Sequence, residues 1–487
     1  MAAISTPYPF RLLAALAVVL FVVRLVVCAS TGLADDEAYY RMWSLAPSLS
    51  YLDHPPMVAW FIASGRWLAG DTPLGIRLAA PVALLIGTVA LWRTAALLYG
   101  GRIAERAVLF LLAMPLLAVG GVIITPDLPS VLFSGLVLWT LAELDHSGSA
   151  NWLLASGLFA GLGLLSKYTN LFIGATILIW LLAVPNNRKW FGAPQLWIGG
   201  AIALLLAIPI VIWNSQHQWA SFSKQFGRVA RSSGGGRYGF EMIGGFVALA
   251  SPIIAVLAIA GLARILREAY LRRDAANVLI AGAILPMFAY FLVHTIHDRV
   301  QANWLAPLYP PLAICAAIGL ETLIAEAWRR TCATAAALLG LAMIAAIYAH
   351  TIEPLAIARP GKDPTSQMRG WAGLADAVEQ LRRDKGAGWI ATSSYATTGQ
   401  LAYALRGRTE VVQLNERIRY AHLVPPAPQI LSQPAIYAEL NRRANPEQLS
   451  RMFTRITPLT TLARADASTE GTPYAVYLVE GLKEPLR

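Results

Sequence analysis

Residues 10–30 read FRLLAALAVVLFVVRLVVCAS, and DDEAYY follows at residues 35–40. The first stretch is long enough to cross a bilayer as a helix, which takes about 20 apolar residues. The second puts three carboxylates, Asp35, Asp36 and Glu37, where that helix meets water. Ionised groups at bilayer depth are costly and rarely idle. Acids at the rim of an apolar helix therefore suggest chemistry on a membrane-bound substrate. Arg24 interrupts the apolar run near its far end. That flank argues for a retained anchor rather than a cleaved signal peptide, with Arg24 snorkelling to the interface.

The pattern repeats along the chain. Of 487 residues, 56% are hydrophobic and only 14% charged. A soluble protein cannot hide that much apolar surface, so the chain reads as a polytopic α-helical membrane protein. About eleven apolar runs are expected as transmembrane helices: 10–30, 74–98, 107–124, 128–143, 152–166, 170–185, 196–213, 241–263, 276–294, 304–324 and 331–350. The net charge of +11 does not call for nucleic acid, because much of the excess lies in short loops. With the amino terminus inside, those loops hold Arg102 and Arg106, Arg188 and Lys189, Arg264 to Arg273, and Arg329 and Arg330. This is the distribution expected of cytoplasmic loops, here of a multi-pass protein of a bacterial inner membrane. Asp35 to Glu37, Asp53-His54, Asp127, Lys167 and the segment His294 to Asn303 then face outward. So does the 214–240 loop, against the usual rule, with Lys224, Arg228, Arg231 and Arg237. Basic residues held outside suit an anionic ligand or anionic headgroups.

After His350 the chain turns polar. Residues 1–350 are expected to form the transmembrane domain, and 351–487 a soluble extracytoplasmic α/β domain. Residues 388–393, 410–414 and 474–479 read as strands, and 372–383 and 446–453 as helices. In the first outer loop, residues 56–69 are amphipathic and aromatic, which suits a helix in the interface plane. Cys28, Cys315 and Cys332 all fall in apolar runs and read as small fillers. His294 and His297 lack an evident third ligand, so no metal site is assigned.

The motifs DDEAYY, YLDHPPMVAW, GIRLAAP and TPDLPSVLF, in that order, resemble the type C glycosyltransferases. The similarity extends to the bacterial relatives of protein O-mannosyltransferases and of the lipid A aminoarabinose transferase, over roughly residues 10–325. The resemblance implies transfer of a sugar from a polyprenyl-phosphate donor to a hydroxyl acceptor outside the cytoplasmic membrane. That acceptor would be lipid A, lipopolysaccharide core or a protein. It also implies that Asp36 and Glu37 match the family's acidic pair and Asp127 a second acid. His54 stands where the aminoarabinose transferase has a lysine that contacts the lipid phosphate.

Elementary chemistry agrees. The acceptor hydroxyl must lose a proton, which Asp36 or Asp127 can take. The leaving phosphate needs cations, which Lys167, Arg237 and Arg299 can supply, with His54 and Asn303 as further substrate contacts. A carboxylate-rich site also admits a divalent cation, though none is obligatory. Plainer roles stay open: helix caps for Asp36 and Asp127, a turn for His54, snorkelling for Lys167, and interfacial anchoring for Arg299 and Asn303. Two other functions compete, a transporter or flippase for a lipid-linked envelope precursor and an envelope assembly protein. Acids at one membrane edge, without repeated halves, disfavour the transporter.

Overall fold

The computed structural model describes residues 10–227, 237–355, 363–465 and 471–483. Arg228, Arg231 and Gly234–Gly236 lie outside the described residues. Two compact units divide the chain.

The helical unit comprises Met1–Cys28, Leu49–Ala69 and Arg77–Tyr348. Among the described residues, seven helices of the chain are long and apolar enough to cross a membrane. The number is nine if each of two bent pairs counts as one span. Trp152–Leu164 is apolar but shorter. The bent pairs explain part of the difference from the eleven expected runs. The run expected over 241–263 is two helices, Arg237–Ala250 and Pro252–Arg272, bent by 106°. Pro252 lacks an N–H and its ring disfavours a helical residue before it, and Ser251 takes φ 71°. The run expected over 107–124 likewise resolves into Gly101–Leu112 and the short helix Pro115–Gly120, which starts at a proline.

Small residues bring the apolar helices together. Helices Pro252–Arg272 and Tyr309–Leu323 touch backbone to backbone at Gly261 and Gly319. A Cβ on Gly261 would stand 1.7 Å from the Cys315 carbonyl oxygen. Without water to squeeze out between helices, such close packing is what holds them. Arg24 does not snorkel. It is 4% exposed and lies against Gly121, where a Cβ would come within 3.0 Å of Arg24 Cδ. A cation at that depth stays inside protein when a side-chain-free position leaves it room.

The second unit comprises Ala29–Ser48, Gly70–Ile76 and Ala349–Arg487. It therefore gathers DDEAYY together with the tail. Its sheet has five strands, β1 Trp389–Thr392, β2 Val411–Gln413, β3 Ala435–Leu440, β4 Phe453–Arg464 and β5 Thr472–Leu482, in the order β2-β1-β3-β5-β4. The first three strands are parallel, and β5 runs antiparallel to both β3 and β4. Strands β3 and β4 were not expected from sequence. β4 contains Pro458, which argues against a strand. It is tolerated because β4 is an edge strand with a register shift between Pro458 and Thr460.

Helix Asp35–Leu45 packs against helix Tyr395–Ala404. The approach requires glycine at 399, where a Cβ would lie 2.8 Å from the Tyr39 nitrogen. Arg41 reaches Asp71 through its guanidinium, tying residues 29–48 to 70–76.

Candidate active site

In the helical unit several charged residues form pairs. Asp127 is the first residue of helix Asp127–Ser147, with Pro126 at the N-cap position. Its Oδ1 accepts from Lys167 Nζ at 2.5 Å, and its Oδ2 from Asn303 Nδ2 at 2.7 Å. Lys167 projects from a turn in which the Ser166 and Lys167 amides both donate to the Gly163 carbonyl. The turn is tied to the Asp127 helix by the Ser130–Asn170 hydrogen bond. The Lys167 and Asp127 side chains are 10% and 12% exposed. At that burial neither charge is tolerable without the other. Among the expected site residues, the structure thus joins Asp127, Lys167 and Asn303.

A second pair lies close by in the hydrogen-bond network. Lys224 Nζ donates to Asp53 Oδ1 at 2.6 Å, and Gln225 Nε2 donates to the Asp53 carbonyl at 2.6 Å. The Tyr168 and Ser221 hydroxyls, 2.7 Å apart, link the Lys167 turn to the helix carrying Lys224. The Met57 amide donates to the Leu165 carbonyl at 3.0 Å, which fixes the DHPP loop to the same turn. His54 is half-buried, and its carbonyl closes a turn by accepting from the Tyr51 amide at 3.2 Å.

Arg237 and Arg299 are elsewhere. Both donate to Glu241, at 3.0 and 2.8 Å, and their side chains are 85% and 68% exposed. Among the described residues, Asp127 is held by Lys167 and Asn303 and these two arginines by Glu241.

The acidic run belongs to the second unit. Glu37 is fully buried and accepts from the Ala34 amide at 2.9 Å. It is thus the third residue of the helix reaching back to its start, one half of a capping box. Alanine at 34 has no oxygen to supply the other half. Asp35 is half-buried, and its Oδ1 accepts from Gln400 Nε2 at 3.0 Å. Burial raises the Asp35 carboxyl above its ordinary range, against the pull of Gln400, Arg464 and Arg443. Asp36 is exposed, and its Oδ1 accepts from the Tyr395 hydroxyl at 3.1 Å. Burial, and then the nearby Asp36 charge, push the Tyr395 phenol up. Among the described residues, no three His, Cys, Asp or Glu side chains converge as a metal-holding group.

Sequence reasoning named Lys224 and Asp53 separately but not as a pair, and missed Glu241, Tyr395 and Gln400. Lys224 and Asp53 are 171 positions apart, and Tyr395 and Asp36 are 359 apart. No local pattern carries pairings of that range.

Comparison with known proteins adds the family. The model of the dolichyl-phosphate-mannose-protein mannosyltransferase family matches residues 53–213. The lipid A galacturonosyltransferase RgtD of Rhizobium johnstonii is 26% identical over 384 residues, covering 77% of this chain and 78% of its own. ArnT from Cupriavidus metallidurans, solved with bound undecaprenyl phosphate, superposes with a TM-score of 0.66 at 17% identity, over 97% of this chain and 98% of that one. The chain is a glycosyltransferase similar to the type C enzymes. The glycosyltransferase also shares its fold, at TM-score 0.52 and 11% identity, with the apo oligosaccharyltransferase of Archaeoglobus fulgidus, over 87% of this chain and 69% of that one. The matched segment of this glycosyltransferase contains both Lys–Asp pairs except Lys224.

Proposed function

We propose that this membrane glycosyltransferase moves a sugar from a polyprenyl-phosphate donor to a hydroxyl of a lipid acceptor on the periplasmic side of the inner membrane. Lipid A or lipopolysaccharide core is the preferred acceptor, with a protein as the alternative. The observation that carries this reading is the Lys167–Asp127–Asn303 cluster, a mostly buried ammonium held in one place within the helical unit. A fixed ammonium is what a departing phosphate needs, since it leaves with its negative charge and takes no proton. The names of RgtD and of the ArnT complex support the acceptor and donor classes respectively.

In the reaction the acceptor oxygen bonds to the anomeric carbon as the carbon–oxygen bond to phosphate breaks. The acceptor's proton passes to a carboxylate. Asp36, the exposed acid of its run, is our candidate base. Asp127 is better suited to positioning Lys167, because each of its oxygens already holds a donor. Glu37 supports the start of the helix that carries Asp36. Lys224 and His54 extend the phosphate-binding surface beside the Lys167 turn, and Arg237 and Arg299 draw in the anionic headgroup from a more exposed position. The full topology we propose has the amino terminus inside, about eleven spans, and the 351–487 domain outside.

Two measurements test this. Deleting the protein should leave a polyprenyl-phosphate sugar to accumulate, detected by mass spectrometry of the lipids. An unchanged lipid profile would argue against the donor class. Reporter fusions after Arg273 and Arg330 should read cytoplasmic and one after Leu355 external. A cytoplasmic tail would put Asp36 in the wrong compartment.

A further inference from the structure

Asp36 and Asp35 are each gripped from one helix, Tyr395–Ala404, of the C-terminal segment. Tyr395 donates to Asp36, and one turn later Gln400 donates to Asp35 Oδ1 at 3.0 Å and to the Leu33 carbonyl at 2.8 Å. Gly399 lets the two backbones touch between these points. The Tyr395 ring is held as well. It lies 5.0 Å from the Tyr39 ring, and the Arg419 guanidinium sits 5.0 Å over it.

That helix is itself anchored by a buried acid. Glu439, fully buried at the end of β3, accepts from the Ser393 amide at 3.0 Å and from the Ser394 and Thr397 hydroxyls at 3.0 and 2.7 Å. It also accepts from the Leu440 amide at 2.9 Å. Ser394 in turn caps the helix by accepting from the Thr397 amide at 3.3 Å. A fully buried carboxylate surrounded by neutral donors is expensive to maintain, and such networks rigidify what they touch. Glu439 therefore fixes the first turn, and that turn carries Tyr395.

We infer that Tyr395 is a positioning residue for Asp36, so that the C-terminal domain supplies part of the machinery for transfer and is not merely appended to it. The inference rests on the reading of Asp36 given above. The phenol orients the carboxylate toward the acceptor hydroxyl. Tyr395 touches no reacting atom itself.

The test uses the full-length protein in nanodiscs with a polyprenyl-phosphate sugar and its acceptor. Asp36→Asn is assayed first. Its inactivity supports the reading of Asp36, and wild-type activity overturns that reading and this inference with it. Tyr395→Phe keeps the ring and its packing and loses only the hydroxyl. A hydrogen bond to a charged group is of a strength that predicts a fall in kcat of about tenfold or more, with KM and Tm unchanged. Wild-type kcat in Tyr395→Phe beside an inactive Asp36→Asn overturns this inference alone. So does a rise in KM with kcat intact, which would make Tyr395 a binding group. Should Tyr395→Phe fail to fold, Glu439→Gln replaces it, retaining shape and most hydrogen bonds while loosening the first turn. It is expected to lower kcat at unchanged KM, and unchanged kcat there rejects the positioning role.

Discussion

Asp127 and Asp36 are both acids in the first turn of a helix that begins beside an apolar run, yet their surroundings differ in kind. Asp127 is nearly enclosed, with an ammonium on one oxygen and an amide on the other. Asp36 is exposed and takes a hydrogen bond from a neutral phenol. An acid locked to a cation is a fixture that holds the cation in place. An acid on a surface, steadied by a neutral donor, can still accept a proton. Position in sequence made the two look equivalent, and their partners separate them.

The largest effect should come from the exposed acid. Asp36→Asn keeps the size of the side chain and removes the charge, and should lower kcat by about 10²–10⁴, the usual worth of a positioned base. Its Tm should match the wild type. A large stability loss would show that Asp36 is a fixture too.

The enclosed acid should behave in the reverse way. Asp127→Ala strands the Lys167 ammonium and should destabilise the helical unit by about 3–5 kcal/mol, seen as a lower Tm. Adding Lys167→Met should recover much of that stability but none of the activity. Full activity in the double variant would remove Lys167 from the phosphate site.

Acid sharpens the contrast through a third group. Burial holds the His422 imidazole down at about 4 against its ordinary 6.5, although a hydrogen bond with the Met42 backbone favours its charged form. As pH falls through 6.5, the unfolded chain takes up a proton that the folded chain refuses until about 4. This stability is intact above 6.5 and is lost between 6.5 and 4. Met42 lies on the Asp36 helix, so hydrogen exchange should quicken over 35–45 in that window. His422→Gln should flatten the dependence, and an unaltered slope would assign it to another group.

The smallest effects belong to Arg237 and Arg299. Both are exposed and already share Glu241. Replacing either by Ala should raise the KM for donor about two- to threefold at low salt, with no effect in high salt, because exposed charges are screened. A large fall in kcat would move them into the catalytic cluster.

What could be read from the sequence was what is local. Apolar runs announced the helices because hydropathy is a property of contiguous residues. The break at Ser251-Pro252 was written in the proline but hidden by the length of the run around it. In the tail, helix Trp371–Asp384 carries a regular apolar stripe and was legible. β3 was not, since a short and almost wholly buried strand has no alternation to betray it. At the site, Asp36, Asp127 and Lys167 stood out by residue type. Their roles did not, because these depend on Tyr395 and on the Asp127–Lys167 contact, which only the folded chain creates.

The crossing of Gly261 and Gly319 has a practical consequence. It buries Cys315 completely, and Cys28 is equally shielded, whereas Cys332 is only partly covered. Of the three thiols, Cys332 is thus the most accessible, and the other two are concealed. A fluorophore or spin label can be placed at Cys332 without removing the others. The slower modification of Cys315 then becomes a clock for how often those two helices part.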